Sequence, residues 1–429
     1  MAKGRSEDRR RDDDGRFGEP CKARLSELIA FAQVYRNWSM GELAAFLGRD
    51  VHNLIPGSGV PKADLIYRLA RALDWPPPAV FSQVCGDSAA PIEHERGGVD
   101  DYRELNRAAF AAFTEGRYEE MISLALRMQG VARTPEQRAE AALRECGGWE
   151  GLGRYEQALE AIQRGLREAH APLGVRMRLR FDLARVYLVL GRWLDAEGIA
   201  SLVLSQVTDE AARMAEIVGS TAMAFDVRGQ ARRWRAMAEP DEQLALAAGA
   251  RQDLTMAQTA WSQYAEQTGV STYAAAAHTC RGAAMSNEVV LGSLPPERCI
   301  EQIMEELDAA IDVAVLPAGA WRESYGWWCV FGCEVAVWSN LTVRDAERVV
   351  GVLSAKGLEL ADAARNWAIR ERLLTIEYLR RSNTSGLHTD AGQHTLDTED
   401  VQLIAGVMAR FPAFRPFGWE LMRRAPRVD

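Results

Sequence analysis

Apolar residues along this chain fall three and four positions apart, the spacing of one helix face, and convincing two-residue alternation of the kind a half-buried strand needs is absent. Leu25, Leu28, Ile29, Ala32 and Tyr35 share a face across 24–38. Ser39 then stands three residues before Glu42, the spacing of a capping box, and predicts a second helix that Gly48 ends. A third segment begins at Arg49. The stretch "DLIYRLARALDW" (64–75) places Leu65, Ile66, Leu69, Ala72 and Leu73 together. From Asp101 to about Ser382 nearly every segment reads as amphipathic helix. "VQLIAGVMARF" adds a further short one, with Asp397 or Thr398 as its N-cap. The pattern predicts an all-α protein.

The helical stretch repeats itself. "FTEGRYEEMISLA" (113–125), "WEGLGRYEQALEAI" (149–162) and "YLVLGRWLDAEGIA" (187–200) share one order: apolar, Gly, Arg, aromatic, acidic, then apolar residues at helical spacing. Gly116, Gly153 and Gly191 are 37 and 38 residues apart; Gly229 lies 38 further on and Gly269 a further 40, with a weaker match. A fixed period of this size marks a stacked array of helix pairs. The glycine ends a helix where positive φ is needed. Tyr118, Tyr155 and Trp193, two residues later, wedge between paired helices, and Ala158 and Ala196 let the helices approach closely.

On Gly116-Arg117-Tyr118, Gly153-Arg154-Tyr155-Glu156-Gln157-Ala158 and Gly191-Arg192-Trp193 the chain resembles tetratricopeptide repeat (TPR) proteins, well over 102–205 and more faintly to about 285. The resemblance implies an α-solenoid, a right-handed stack with a concave groove for a peptide or protein. The period is longer than that family's 34 residues, which leaves a different two-helix array or a plain amphipathic bundle as alternatives.

Length and charge then divide the chain. At 429 residues it exceeds one ordinary core. The reading is a tail at 1–20 that mixes both charge signs and is expected to be disordered, a compact module at 21–88, a Pro- and Gly-containing linker at 89–100, the repeat region at 101–381, and a polar loop with a last helix and tail at 382–429. The net charge is −9, yet residues 1–92 carry 13 Lys+Arg against 12 Asp+Glu, so the acidity belongs to the rest and favours basic or neutral partners there. Seven irregularly spaced cysteines do not suggest a disulfide framework. There is no signal-peptide pattern at the start, and the most apolar stretch, Tyr325–Ser339, is short and contains Glu334, so a cytoplasmic protein is expected.

"LSELIAFAQVYRNWSMGELAAFLG" and "VPKADLIYRLARALDW" resemble the first two helices and the closing helix of the Cro/repressor-type (XRE-like) helix-turn-helix family. The resemblance implies DNA binding through the segment between them, where Arg49, His52 and Asn53, with Lys62 before the closing helix, are the candidate nucleic-acid contacts. Two features depart from it. Met40 stands where that family commonly has Gln. Pro56-Gly57 limits the recognition segment to about two turns, Arg49–Ile55, with Val51, Leu54 and Ile55 read as core. Asp50 opposes phosphate unless it serves as a cap. A docking or dimerisation module fits the same residues.

Other chemistry is sparse. Cys329 and Cys333 share a helix face but lack further ligands, His278 and Cys280 do not share one, and His388 and His394 sit in the polar loop. "PGSGVPK" lacks a phosphate loop's ending and preceding strand. No catalytic residues, metal site or cofactor are expected, and the protein is read as not an enzyme. Within "WRESYGWWCVFGCEVAVW", Trp321, Tyr325 and Trp328 fall on one face and Trp327, Phe331 and Trp338 on another, forming either core or a binding pocket. Joining a repressor-like module to TPR-like repeats resembles bacterial regulators in which a bound peptide controls DNA binding. The expected function is therefore a regulatory adaptor, as a transcription regulator or, alternatively, as a protein-interaction scaffold without DNA binding. The oligomeric state is left open, with a homodimer admissible.

Overall fold

The computed structural model describes residues 19–36, 38–55, 61–73, 75, 77–85, 101–207, 215–317, 319–384 and 396–424. The expected tail at 1–20, apart from its last two residues, lies outside them, as do Pro56-Gly57, the linker 89–100, and His388 and His394. The described chain is all-α, with consecutive helices packed as neighbours in a solenoid-like fold, and it divides into two compact units.

The first unit takes in the described residues within 19–85 together with 396–409 and 418–424. It opens with α1 (Glu19–Tyr35) and α2 (Met40–Leu47), a single 3₁₀ turn at Val51–Asn53, then α3 (Ala63–Ala72) and α4 (Pro77–Cys85). Ser39 and Glu42 form the complete capping box at the start of α2: Glu42 N–H donates to Ser39 Oγ, and Ser39 N–H donates to the Glu42 carboxylate at 2.7 Å. Gly48, at φ 65°, ends that helix. Leu25, Phe31, Leu43, Leu47, Leu65 and Leu69 are buried. Arg36 reaches the carbonyl end of α3, donating to Ala72 O at 2.7 Å and Arg71 O at 2.9 Å, where the helix dipole favours a cation.

The second unit, within 101–384 plus 410–417, holds α5 (Tyr102–Thr114), α6 (Tyr118–Val131), α7 (Pro135–Gly151), α8 (Tyr155–Leu166), α9 (Leu173–Val189), α10 (Trp193–Ser205), α11 (Ala215–Ala238), α12 (Gln243–Thr268), α13 (Ser271–Val290), α14 (Pro296–Leu307), α15 (Ala320–Trp338), α16 (Val343–Ala364) and α17 (Trp367–Thr384). The chain then continues through α18 (Thr398–Arg410) and α19 (Arg415–Arg424). Asp397 caps α18, its carboxylate accepting from Asp400 N–H at 2.9 Å. Trp419 belongs to the first unit and packs edge-on against Phe31, ring centres 4.5 Å apart, while Trp75 meets the same ring at 5.6 Å.

In the second unit each of α5, α7, α9, α11, α13 and α15 packs on the next odd-numbered helix, and the even-numbered helices lie beside them. Three identical turns set this spacing. Gly116, Gly153 and Gly191 lie at φ 71°, 67° and 77°. Arg117, Arg154 and Arg192 follow at φ −88°, −99° and −87°, and Tyr118, Tyr155 and Trp193 each begin the next helix. In every case the arginine N–H closes a bond to the carbonyl five residues back and the glycine N–H to the one three back, the Schellman pattern. Ala158 and Ala196 are fully buried.

Gly229 does not continue the series: α11 runs straight through it. A Cβ there would meet Leu254 Cγ at 2.7 Å, so this glycine serves the close approach of α11 and α12 rather than a turn. Gly269 does end a helix, at φ 68°. The same turn reappears unannounced at Arg365, Asn366 and Trp367, where Arg365 at φ 53° takes the glycine's place, with matching bonds from Asn366 N–H to Ala361 O and from Arg365 N–H to Asp362 O.

Two substitutions test this turn. Gly191 has open space around its missing Cβ, so Gly191→Ala feels backbone strain alone and should lower stability by about 1–2 kcal/mol. Arg365→Gly should raise it by a similar amount. Denaturant titration of both variants reads the outcome; stability moving the same way in both contradicts the assignment.

Candidate functional site

In the first unit the candidate nucleic-acid residues separate. Gly48 turns the chain under Arg68, whose guanidinium would sit 2.5 Å from a Cβ there and donates to Phe46 O at 3.3 Å. Arg49 is committed to Asp64, its Nη2 donating to both carboxylate oxygens at 2.9 and 3.0 Å. His52 and Asn53 are exposed on the 3₁₀ turn, and Lys62 is exposed just before α3. The expected two helical turns are one 3₁₀ turn. Leu54 is buried, but Val51 is exposed rather than core, and Asp50 makes no side-chain cap. A three-residue turn cannot bury one side of itself as an amphipathic helix does.

The second unit gathers most of its buried charge on the odd-numbered helices. Glu150 of α7 pairs with Arg185 of α9, and Asp182 lies within 3.4 Å of Arg178 and 3.6 Å of Arg185. Arg178 and Arg185 keep 52% and 44% of their side-chain surface accessible, whereas their carboxylate partners are largely covered. Around Arg185 the charges of Asp182 and Glu150 and the Tyr155 hydroxyl all act on the guanidinium. Burial raises the Glu150 pKa despite the opposing pull of Arg185 and Arg178. Asp226 of α11 is pushed up to about 6, burial outweighing hydrogen bonds from Gln230 and the Cys280 thiol and the charges of Arg233 and Arg185.

Farther along, the interior closes. Arg233 of α11 and Glu334 of α15 are each 1% exposed and ion-paired, and Arg372 of α17 donates its Nε to the other Glu334 oxygen at 2.9 Å. Arg233 also lies over Phe331, 4.7 Å from its centre. The two aromatic faces expected on α15 separate as the spacing requires. Trp321, Tyr325 and Trp328 surround His278 with ring centres 4.7–5.5 Å away; Trp327 stacks on Phe331 and meets Trp234. Trp338 is 39% exposed and stands apart from the core.

His278 has a pairing that local sequence could not reveal. Its Nδ1 lies 2.7 Å from Ser324 Oγ and its Nε2 3.0 Å from Glu306, an arrangement with the members of a serine-hydrolase triad. Ser324 is 1% exposed within α15, with Thr279 Oγ1 already 2.8 Å away. A nucleophile so enclosed presents no face to a substrate. The network instead ties α13, α14 and α15 together, and burial lowers the His278 pKa against the opposing pull of Glu306. Cys280, two residues on, points to a different cluster with Trp261 and Ala222. Cys329 and Cys333 are buried, and burial raises both thiols.

The raised pKa of Asp226 sets a direction for stability. Its ionised form is disfavoured in the folded chain, so the charge costs stability fully above about pH 6, and the cost fades as pH falls toward 3.8, its ordinary value. Asp226→Asn keeps an acceptor for Gln230 and should stabilise the chain above neutral pH by about 1–3 kcal/mol, the gain vanishing near the ordinary carboxylate range. Melting curves across pH check this; a variant no more stable than its parent at alkaline pH refutes it.

Among the described residues no group of three or more His, Cys, Asp or Glu is placed to hold a metal ion, and no helix is long and apolar enough to cross a membrane. Compared with protein-family models and with curated proteins, the chain matches none of them.

Proposed function

We propose that this protein is a regulatory adaptor whose TPR-like repeats hold a peptide or protein partner along the inner helices α7 and α9. The observation that carries this reading is the state of Arg178 and Arg185: two guanidiniums with half their surface still accessible, set among covered carboxylates and the Tyr155 ring. Charges so placed are partly desolvated and already fixed in position, so a partner's polar groups gain more from them than from a freely hydrated surface. The inner face carries both signs, Glu150 and Asp182 as well as the arginines, which suits a partner with alternating charge or an amide backbone.

A second reading adds DNA to the first unit, whose helix-turn-helix-like order leaves His52, Asn53 and Lys62 exposed. The Arg49–Asp64 pair favours the scaffold alternative, because it neutralises the strongest phosphate ligand of the group.

Binding of the full-length chain to an immobilised peptide library tests the first reading. The double variant Arg178→Glu/Arg185→Glu should lose the peptides the parent retains by about tenfold or more, a change of about 1.4 kcal/mol or greater; unchanged retention removes the inner face from the proposal. For the second, titration of duplex DNA at low salt should give salt-sensitive binding that weakens in Asn53→Ala. Absence of binding to any duplex leaves the scaffold.

A further inference from the structure

We propose that α16 is the contact between two copies of this chain, its outer face packed antiparallel against the same face of the second copy about a two-fold axis. The inference concerns α16 rather than α7 and α9 and does not rest on the partner reading above.

α16 turns Val350, Leu353 and Leu360 inward. Its other face carries Arg344, Arg348, Gly351, Ala355, Glu359 and Asp362, which recur at steps of three and four residues and are all exposed. The charges are sorted along it: arginines in the first two turns, carboxylates in the last two, small residues between. This order runs against the helix itself, whose N-terminal end is positive and whose C-terminal end is negative. Among the described residues Arg344 and Arg348 have no carboxylate partner. Asp362 receives both contacts from Arg370 on Oδ1, at 2.7 and 2.9 Å, and keeps 67% of its side chain accessible. Glu359 lies 2.9 Å from Lys356 and keeps 55%. A second copy running the opposite way sets its arginine end beside this carboxylate end and its carboxylate end beside these arginines, so one symmetry operation answers both ends.

Gly351 is an independent sign. A glycine inside a helix costs stability relative to alanine, and a Cβ at Gly351 would meet no atom of the chain within 4 Å. Gly357, on the buried face, has its reason inside the chain: a Cβ there would meet Leu373 Cδ1 at 2.8 Å. Gly351 has no such neighbour, and it stands near the middle of the sorted charges, where two helices crossing there come closest. Val352 adjoins it and is 51% exposed. Lys356 Nζ donates to Ile311 O at 2.9 Å and so holds Ile311, 71% exposed, beside the same stretch of α16. The face therefore offers a small apolar centre between complementary ends, and the partner it matches is its own copy.

The test measures the mass of the full-length chain by sedimentation equilibrium, alone and in mixtures. The parent should be a dimer. Arg344→Glu/Arg348→Glu makes the face wholly acidic and Glu359→Arg/Asp362→Arg makes it wholly basic, so each variant should associate about tenfold or more weakly with itself. An equimolar mixture of the two should regain the dimer, because an acidic face then meets a basic one; damage to the fold could not produce that rescue. Gly351→Leu should favour the helix yet also yield monomer, its side chain entering the closest approach. It carries the test should either charge variant fail to fold by circular dichroism. A monomeric parent overturns the proposal and leaves the face to a different protein. Variants as dimeric as the parent, or a mixture of folded variants that stays monomeric, overturn it as well.

Discussion

One residue held in the left-handed backbone region, with an aromatic ring beginning the next helix two positions later, is the constraint on which the array rests. The turn fixes how the chain leaves one helix and enters the next, because its two backbone bonds satisfy carbonyls that a helix end would otherwise leave open. Repeating it at Gly116, Gly153 and Gly191 repeats the geometry of the pair, and equal pairs stack. Where the device is absent the architecture changes. At Gly229 the chain stays helical, and α11 and α12 extend to 24 and 26 residues, packed so closely that the glycine must have no side chain. Arg365 shows that the geometry, more than the glycine, is what the fold requires: an L residue accepts the strain there.

The regular stack brings charged side chains of successive odd-numbered helices together, and the fold answers them in two ways. At Arg233, Glu334 and Arg372 it buries an arginine–glutamate–arginine group almost completely and joins α11, α15 and α17 through it. Such a group adds little net stability, since desolvation offsets most of the attraction, but separating its members would strand a charge, so it pins one arrangement of the three helices. Along α7 and α9 the same residue types keep accessible surface and are only partly paired. The closed group is ion-paired within the protein, with the buried Arg233 Nη2 left without a hydrogen-bond partner; the open group keeps accessible guanidinium surface.

The sequence displays what is local and conceals what is distant. The turns, the capping box at Ser39 and Glu42, the buried faces of α1 and α3, and the two aromatic faces of α15 are legible because each depends on residues within about one or two helical turns. The Arg365 turn is not, because the glycine that marks the others is missing. Nor are the pairing of Arg233 with Glu334, 101 residues away, the meeting of His278, Ser324 and Glu306, or the packing of Trp419 on Phe31. Periodicity assigns a residue to a face but says nothing of which helix arrives there. Val51 is exposed for a related reason: its segment forms only one 3₁₀ turn and so has no helical face to bury.

That short turn also limits what the first unit can present. A 3₁₀ segment rises about 2 Å per residue, so Val51–Asn53 spans roughly 6 Å, room for few side chains directed at one surface. Of the residues near it, Arg49 spends its charge on Asp64. For a polyanion to recruit Arg49, that pair must be broken, and the partner left behind is a carboxylate facing phosphate. A partner surface with mixed or little charge carries no such cost, and it can meet His52, Asn53 and the exposed Val51 together. The ion pair therefore biases the module by charge toward such a surface.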